Sequence, residues 1–424
     1  MKIYNKNQTD ELLAALADRA ENISPEIMST VAEVIANVRA NGDAALRGYT
    51  EKFDKVTLDS LYLTEAEKDA LIAEVPDELK ATIDEAAANI FAFHKKQKQN
   101  SWMMNDDGKI MGQLVRPLER VGLYVPGGTA AYPSSVLMNA IPARVAGVEK
   151  IVIVTPPKKE GINPAVVYAA KVAGITDIIQ VGGAQAVAAL AYGTESVPRV
   201  DKIVGPGNIF VAMAKKLVFG AVDIDMIAGP SEVLVIADER ANPDYVAADL
   251  MSQAEHDPMA AAILITTSEK LASEVIEQIN IQKAQLSRCD IIDRSLDAYG
   301  AMIIVDTLEE AVALSNKIAP EHLELSVANP FELLSLVKNA GSIFLGDNAP
   351  EPLGDYFAGP NHVLPTNGTA RFSSALGVDS FIKKSSYLYY NEASLKKIGD
   401  KVVTFANAEG LSAHANSILR RLNK

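Results

Sequence analysis

Cysteine and blocks of basic residues are almost missing from this sequence. Cys289 is the only cysteine among the 424 residues, which excludes an intrachain disulfide and a cysteine-rich zinc module. Lysine and arginine form no block that could neutralise a row of phosphates, and the formal net charge is −14. The composition therefore argues against a nucleic-acid partner.

Long apolar segments are missing as well. The residues that follow Met1 lack the apolar core of a secretory signal, and a run such as Met259–Ile265 is far too short to span a bilayer. With 48% hydrophobic residues, a chain of 424 residues can bury more than one core. We therefore expect a cytoplasmic enzyme of more than one domain, with no membrane partner.

What the sequence does contain is a repeated alternation of short apolar runs and helical segments. Residues 8–98 are typical of helices and residues 109–118 of strands, whereas later apolar runs end in turns and are followed by alanine-rich segments. This alternation predicts parallel sheets with helices on their faces. The predicted strands are Val121–Val125, Lys150–Val154, Ile178–Val181, Lys202–Val204, Val233–Ile236, Ala261–Ile265, Ala301–Val305, Leu323–Val327 and Gly341–Leu345. A seam near residue 230 divides them into two α/β units.

Two later segments differ from this pattern. Four glycines and four prolines between Gly346 and Gly368 predict a long irregular loop, and such loops are more often functional than accidental. After Phe381 the chain is polar and rich in tyrosine and lysine, and it is too small for a core of its own. We expect this appendage to pack against another domain or another subunit.

Histidine is scarce, yet four of the five histidines lie near a carboxylate or carboxamide. The pairs are Gln253 with His256, Glu321 with His322, Asp355 with His362, and Glu409 with His414. Imidazoles and carboxylates together hold divalent cations and move protons near neutral pH. The fifth histidine, His94, is followed by lysines, and we place it on a helix surface without such a role.

Gln253 and His256 are three residues apart, and Asn242 and Pro258 mark the start and the end of their predicted helix. Both side chains then lie on one face of the last turn and can point at one ion. Taken alone, the pair is more simply explained by a glutamine that caps the helix end and a histidine on the surface.

Glu321 and His322 follow Pro320, which predicts an extended Ala319. Neighbours in a strand face opposite sides of a sheet, so these two side chains can reach one site only at a loop or strand mouth. There they could act as two bases for two different steps. Taken alone, a surface pair explains them better.

Glu409 and His414 are too far apart around a helix to face one ion from its middle, so Glu409 is predicted to precede the helix that carries His414. The four pairs together with the Gly346–Gly368 loop favour a single metal and proton-transfer site. Its ligands would be oxygen and imidazole nitrogen, which fits zinc, although manganese, cobalt or nickel would fit as well.

Three glycine-containing turns follow short apolar strands: Pro126–Gly128, Gly182–Gln185 and Gly205–Asn208. At the carboxyl edge of a parallel sheet, helix N-termini favour phosphate groups. None of the turns completes the G-x-G-x-x-G pattern with a downstream acid, so tight packing turns explain them equally well.

Together these residues resemble the motifs of the histidinol dehydrogenase family, from about residue 20 to the C-terminus. The matching segments are Tyr124–Gly128, Gly182–Gln185, Val204–Asn208, Ile227–Glu232, Gln253–His256, Ala319–Leu323, Gly359–Pro365 and Glu409–His414. The resemblance implies oxidation of L-histidinol through L-histidinaldehyde to L-histidine, the last step of histidine biosynthesis, with two hydride transfers to NAD.

The resemblance also implies roles for individual residues. One zinc ion per subunit would be bound by Gln253, His256, Asp355 and His414. Ser231, His362 and Glu409 would join these four and His322 in holding the substrate. Tyr124, Gln185 and Asn208 match positions that contact NAD. His322 would take the alcohol proton and act again on the aldehyde hydrate, and Glu321 would be the base that activates water.

The implied fold is α/β, with two incomplete Rossmann-like domains like those of aldehyde dehydrogenases and small helical terminal pieces. The expected parts are an N-terminal piece (1–20), a first domain with most metal and catalytic residues (21–120 and 231–375), a second domain on the NAD side (121–230) and a tail (376–424). The implied assembly is a homodimer in which the tail completes the partner's site. Two other functions share parts of the pattern: a zinc-dependent hydrolase of a small nitrogenous substrate, which leaves the glycine turns unexplained, and a catalytically silent binding protein.

Overall fold

The computed structural model describes residues 1–5, 8–21, 24–127 and 132–422, apart from the side chains of Ala17, Asp18, Ala20 and Glu21. The chain divides into two compact units. The first unit comprises Met1–Gln97 and Leu118–Phe381, and the second unit comprises Lys98–Pro117 and Ile382–Lys424. Among the residues described, no helix is long and apolar enough to cross a membrane.

The strands and helices have the following bounds. The strands are β1 (Lys2–Asn5), β2 (Trp102–Asp106), β3 (Lys109–Pro117), β4 (Arg120–Tyr124), β5 (Lys150–Val154), β6 (Asp177–Ile179), β7 (Lys202–Val204), β8 (Asp223–Ile224), β9 (Glu232–Ala237), β10 (Ala261–Thr266), β11 (Gly300–Ile304), β12 (His322–Ser326), β13 (Ser342–Leu345) and β14 (Ile382–Tyr390). The helices are α1 (Thr9–Glu21), α2 (Pro25–Tyr49), α3 (Glu65–Glu74), α4 (Asp77–Lys95), α5 (Pro133–Ala146), α6 (Pro164–Val172), α7 (Gly183–Tyr192), α8 (Ile209–Val218), α9 (Pro243–Ala254), α10 (Glu269–Lys283), α11 (Cys289–Tyr299), α12 (Leu308–Ile318), α13 (Pro330–Leu334), α14 (Glu351–Tyr356), α15 (Glu392–Ala408) and α16 (Ser412–Arg421).

The first unit contains two parallel sheets. A five-stranded sheet has the order β6-β5-β4-β7-β8, and a six-stranded sheet has the order β1-β11-β10-β9-β12-β13. The N-terminal segment therefore contributes a strand as well as a helix, since β1 pairs in parallel with β11. The predicted α/β fold with parallel sheets is confirmed, and each predicted strand lies within two residues of an observed one.

Both sheets are covered by helices on both faces, as their apolar composition requires. Strands β9 and β10 are buried at every position, which is typical of parallel strands that have no face toward water. The cores on the two faces of the six-stranded sheet involve α9–α11 on one face and α1 with α12 on the other. The two cores of the five-stranded sheet involve α4–α6 and α2 with α7 and α8.

Helices α2 and α4 thus pack with the five-stranded sheet, whereas the sequence analysis grouped residues 21–120 with residues 231–375. The exact limits of the expected domains stay a prediction. The segment from Gly346 to Gly368 was predicted to be irregular, and that prediction is wrong in part because it contains α14. Pro350 precedes this helix and Pro352 lies in its first turn, where a missing amide hydrogen costs nothing.

The second unit is built on an antiparallel sheet of order β14-β3-β2 with α15 and α16. Every residue of β2 is exposed, and so are several large apolar side chains of this unit. The most exposed are Met103 (64%), Leu388 (74%) and Phe405 (71%). Large apolar side chains that are this exposed are available for contacts with another protein surface.

Candidate active site

His322 is the first residue of β12, and its side chain is buried at the amino edge of the six-stranded sheet. Its Nδ1 lies 2.9 Å from the backbone oxygen of Glu232, which assigns the ring proton to Nδ1. Its Nε2 has no hydrogen-bond partner among the described residues and lies 3.7 Å from Oδ1 of Asp355. Nε2 is therefore the ring nitrogen that is left to exchange a proton with a substrate.

Glu321 precedes the strand, and its side chain reaches the same edge. Its Oε2 accepts a hydrogen bond from the backbone N–H of Glu232 at 2.9 Å and lies 3.7 Å from Nδ1 of His322. The prediction that the two residues meet at a strand mouth is confirmed. Burial raises the pKa of Glu321 to about 8, against the opposing influence of His322. Burial acts to lower the pKa of His322, but the carboxylates of Glu321 and Asp355 outweigh it and raise that pKa to about 10.

The connection that leads into this pair differs from the prediction. Ala319 has a φ of 53° and a ψ of 61°, so it is left-handed and not extended. It ends α12 by donating its backbone N–H to the oxygen of Ser315 at 2.7 Å. The closing of the helix end outweighs the preference that Pro320 imposes on the residue before it.

Asp355 lies on α14 and faces His322. Together with Glu351, one turn earlier on the helix, these residues offer three ligand atoms within 4.8 Å of one another. Burial acts to raise the pKa of Asp355, but the imidazole of His322 and the charge of His362 outweigh it and hold the pKa below its ordinary value. An ionised carboxylate beside an imidazole is a suitable pair of ligands for a divalent cation.

The sequence analysis missed Glu351. This buried carboxylate accepts a hydrogen bond from Oγ of Ser252 at 3.1 Å, and its backbone N–H donates to Oε1 of Glu324 at 2.8 Å. Burial raises the pKa of Glu351 to about 7. Its spacing of four residues from Asp355 would have identified it, had the proline-containing segment been predicted as a helix.

Gln253 lies in the last turn of α9, and this helix starts at Asn242 as predicted. Gln253 is 1% exposed, and its Oε1 has no partner among the described residues, although it is a buried oxygen. His256 was predicted to lie on the last turn of this helix, and that prediction is wrong. Helix α9 ends at Ala254, and His256 lies in the turn that follows. Asp355 and His322 are electrostatic neighbours of His256.

His362 is held between the two sheets of the first unit. Its Nδ1 lies 2.9 Å from the backbone oxygen of Asp355, and its Nε2 lies 3.4 Å from Oγ of Ser135 on α5. The neighbouring Asn361 donates to the backbone oxygen of Met138 at 2.6 Å. These contacts bring His362 beside Asp355, and its part in binding the substrate stays a prediction.

The placement of His94 on a surface was wrong. His94 is 0% exposed, with Nδ1 at 2.9 Å from the oxygen of Ile90 and Nε2 at 3.4 Å from Nδ2 of Asn361. Burial lowers its pKa. The following lysines suggested exposure, whereas its spacing from Ala87 and Ile90 places it on the apolar stripe of α4.

The remaining residues of the expected substrate and metal set are Ser231, Glu409 and His414. Ser231 directly precedes β9, and its backbone oxygen accepts the N–H of Ala261 at 3.0 Å. Glu409 and His414 belong to the second unit, where Glu409 follows the end of α15 and His414 lies in the first turn of α16. Both side chains are exposed, and their part in the site stays a prediction.

The glycine turns lie at the carboxyl edge of the five-stranded sheet. Tyr124 ends β4, and its phenol oxygen accepts the backbone N–H of Gly183 at 3.0 Å. Burial raises the pKa of Tyr124 to about 12, so the phenol stays neutral. Gly128, the last residue of the first turn, lies outside the described residues.

The other two expected NAD residues begin helices. Gln185 is 2% exposed in the first turn of α7, and Asn208 caps α8 by accepting the N–H groups of Phe210 and Val211 at 3.1 and 3.2 Å. Gly205 has a φ of +109°, and a Cβ there would lie 2.2 Å from the oxygen of Tyr124. The turns after β4 and β7 therefore touch, which only glycine permits.

The first unit combines parallel sheets, glycine turns suited to phosphate, and a buried acid–base pair beside groups that can bind a metal. Together these features define an α/β enzyme. The chain matches the model of the histidinol dehydrogenase family over residues 17–422. It is 58% identical over 411 residues to histidinol dehydrogenase of Clostridium acetobutylicum, covering 96% of this chain and 95% of that one. It is 58% identical over 406 residues to that of Geobacillus kaustophilus, covering 95% and 96%.

A crystal structure of histidinol dehydrogenase from Elizabethkingia anophelis superposes with a TM-score of 0.95 at 41% identity, covering 100% of this chain and 98% of that one. The chain belongs to the histidinol dehydrogenase family and is thus an oxidoreductase of histidine biosynthesis. The resemblance drawn from the eight motifs is confirmed. Membership in this family decides against the alternative of a hydrolase.

Proposed function

We propose that this chain oxidises L-histidinol through L-histidinaldehyde to L-histidine, with NAD as the hydride acceptor. The observation that supports this most is the pair at the amino edge of β12. One carbonyl fixes Nδ1 of His322 so that Nε2 is free, and Glu321 lies beside it. A two-step oxidation needs a base for each step and a base for the water between them, and this pair supplies both kinds.

His322 acts first, by taking the hydroxyl proton of histidinol on Nε2 as a hydride leaves the same carbinol carbon. The aldehyde then adds water: Glu321 takes a proton from that water, and His322 gives its proton to the carbonyl oxygen, which forms the hydrate and restores the neutral ring. His322 accepts the proton of the resulting hydrate as the second hydride leaves. Because His322 must lose its proton before it can act as a base, we expect turnover to rise with pH.

We propose that zinc is held by Gln253, His256 and Asp355, with His414 as the fourth ligand. The buried, unpartnered oxygen of Gln253 and the low pKa of Asp355 support a cation there, and the donors are the oxygen and nitrogen atoms that zinc accepts. When bound, zinc would grip the imidazole and amino nitrogens of the substrate, which fixes the carbinol carbon, and would neutralise the charge of Asp355. Ser231, His362 and Glu409 are proposed to complete the substrate site.

Tyr124, Gln185 and Asn208 are proposed to contact NAD at the carboxyl edge of the five-stranded sheet. The start of α8 supports this, because helix N-termini favour phosphate and Asn208 is exposed at that end. The contact between His362 and Ser135 links this sheet to the edge that carries His322, so a hydride acceptor on one side can reach a substrate on the other.

We propose a homodimer in which residues 376–424 of one chain complete the site of its partner. The exposed apolar side chains of the second unit support an interaction face there.

Truncation after Asn407 removes His414 and Glu409, so the purified protein should lose its zinc. A truncated protein that retains a full complement of zinc by elemental analysis would remove His414 from the ligand set. Placement in the cytoplasm stays a prediction.

The function is tested by counting reduced cofactor. With L-histidinol limiting and NAD in excess, two NADH molecules should form for each histidinol consumed, and a chelator should stop the reaction. One NADH for each histidinol would mean that the enzyme releases the aldehyde. Product formation without NAD would contradict the proposal altogether.

A further inference from the structure

Arg19 on α1 is a completely buried arginine that belongs to none of the eight motifs. Its side chain is 0% exposed, although it lies on a helix near the start of the chain. A guanidinium is costly to remove from water unless its donors and its charge are satisfied. Its burial therefore calls for a specific reason.

The partners of Arg19 come from four separate segments. Nη2 forms an ion pair with Oε1 of Glu232 and lies 3.3 Å from Oδ1 of Asn367. Nη1 donates to the backbone oxygen of Met259 at 2.9 Å, and the guanidinium carbon lies 5.6 Å from the ring centroid of Tyr299. A planar fork of donors is suited to this arrangement, in which one side chain fixes several acceptors at once.

Glu232 is the residue that links Arg19 to the proposed chemistry. Its backbone N–H donates to Oε2 of Glu321, and its backbone oxygen accepts from Nδ1 of His322, each at 2.9 Å. Its side chain is held by Arg19 and by the backbone N–H of Asn367 at 3.2 Å. One residue thus orients both proposed bases through its backbone and is itself fixed through its side chain.

The charge of Arg19 matters as well as its donors. Burial raises the pKa of Glu232, and the guanidinium opposes that rise. The second carboxylate oxygen, Oε2, is buried without a partner among the described residues. Without Arg19, Glu232 would be an uncompensated buried acid next to Glu321, and it would have to move or take up a proton.

We propose that Arg19 is a positioning residue for the oxidation, because it locks Glu232 in the place from which its backbone aligns Glu321 and His322. This inference rests on the proposed function. It assigns a role in turnover to the N-terminal helix.

The test begins with Arg19→Met, which keeps the length and removes charge and donors. We expect kcat to fall by on the order of 10²-fold with histidinol and with histidinaldehyde, because small misplacements of catalytic groups have effects of this size. The KM for histidinol should change little, since the residues proposed to hold the substrate are not contacted by Arg19. An unchanged kcat would overturn the proposal.

Leu12→Ala is the matched control for a purely structural role. Leu12 is buried on the same helix, in the core under the six-stranded sheet. This variant should melt at a lower temperature, like Arg19→Met, but keep its kcat. An equal loss of kcat in both variants would mean that Arg19 acts only by docking α1, which contradicts a positioning role.

A double variant separates charge from contact. Adding Glu232→Gln to Arg19→Met removes the uncompensated acid but keeps the backbone groups that hold the two bases, so part of the lost kcat should return. No recovery would argue against a role for the charge of Arg19. If Arg19→Met does not fold, Arg19→Lys replaces it, because one ammonium cannot serve Glu232, Asn367 and Met259 together.

Crystal structures provide a readout that does not depend on the substrate. In Arg19→Met or Arg19→Lys, Oε2 of Glu321 should move away from the N–H of Glu232, and a retained distance of 2.9 Å would refute the proposal. A wild-type protein that fails to oxidise histidinol would defeat the proposed function, whereas these distances would still decide the role of Arg19.

Discussion

The candidate functional residues of the first unit lie at opposite edges of its two parallel sheets. In the five-stranded sheet the glycine turns follow the carboxyl ends of β4 and β7. In the six-stranded sheet the titratable groups stand at the amino ends of β9 and β12, where Glu232 and His322 are the first residues. The usual rule for α/β sheets places ligands at carboxyl ends, and of the two proposed sites only the NAD site follows it.

The ends of the helices explain what each edge can bind. At the carboxyl edge, α7 and α8 begin, and their N-termini carry partial positive charge, which favours an anion. At the amino edge, α9 and α12 end, and their C-termini carry partial negative charge. The carboxyl edge of the five-stranded sheet is therefore suited to the phosphates of a dinucleotide. The amino edge of the six-stranded sheet is suited to a cation and a protonated imidazole.

The largest expected effect comes from removing the base at the amino edge. His322→Asn keeps an amide donor for the oxygen of Glu232 but has no nitrogen that can accept a proton. We expect kcat to fall by about 10²- to 10⁴-fold for both alcohol and aldehyde oxidation, which is the usual contribution of a general base. Steady-state rates with each substrate measure it.

Glu321→Gln is the contrast within the same pair. It should slow aldehyde oxidation more than alcohol oxidation, because only the aldehyde needs an activated water. Equal losses would argue against the hydration role of Glu321, and aldehyde turnover at full rate in His322→Asn would argue against two roles for His322.

A smaller effect is expected at the carboxyl edge, from Asn208→Ala. The variant loses the cap of α8, which costs about 1 kcal/mol in the free energy of unfolding. It also loses the proposed contact with NAD. We expect a higher KM for NAD with little change in zinc content, measured by kinetics and elemental analysis.

Asn163→Ala is the matched control for that variant. Asn163 caps α6 beside the same sheet by accepting the N–H of Ala165 at 2.8 Å, but it lies in none of the glycine turns. It should lose similar stability and keep its KM for NAD. If both variants raise this KM equally, the effect does not come from a contact between Asn208 and NAD.

The smallest effect is expected for His94, whose Nε2 lies 3.4 Å from Nδ2 of Asn361. Its pKa is lowered in the folded protein, so below about pH 6.5 the unfolded chain binds a proton that the folded chain does not. His94 therefore lowers stability as pH falls from 7 to 5, by about 1.4 kcal/mol for each pKa unit of difference. His94→Gln should flatten this part of the melting-temperature profile, and an unchanged slope would contradict it.

The sequence predicted what depends on local pattern. Continuous apolar runs such as Lys150–Val154 located the strands because parallel strands are buried on both faces. The scarcity of histidine drew attention to His322 and His362, which the structure brings to Asp355. Asn242 located the start of α9, because its side chain accepts the N–H of Asp244.

What the sequence could not predict depends on long-range burial. Arg19 has no local signal, since its role comes from partners such as Glu232 that are distant along the chain. The prolines in and before α14 argued against a helix there, and the lysines after His94 argued against its burial. In each of these cases the local composition was typical of a surface, and tertiary packing decided otherwise.

The backbone of Ala319 has a consequence for how the site is built. A left-handed alanine costs roughly 1–2 kcal/mol compared with an ordinary conformation, and the proline after it fixes the next φ. The link from helix to strand thus has almost no rotational freedom, and Glu321 and His322 leave it in a single direction. The geometry of the two bases is set by covalent stiffness before any substrate arrives, and a glycine at position 319 would relieve the local cost while making that direction less certain.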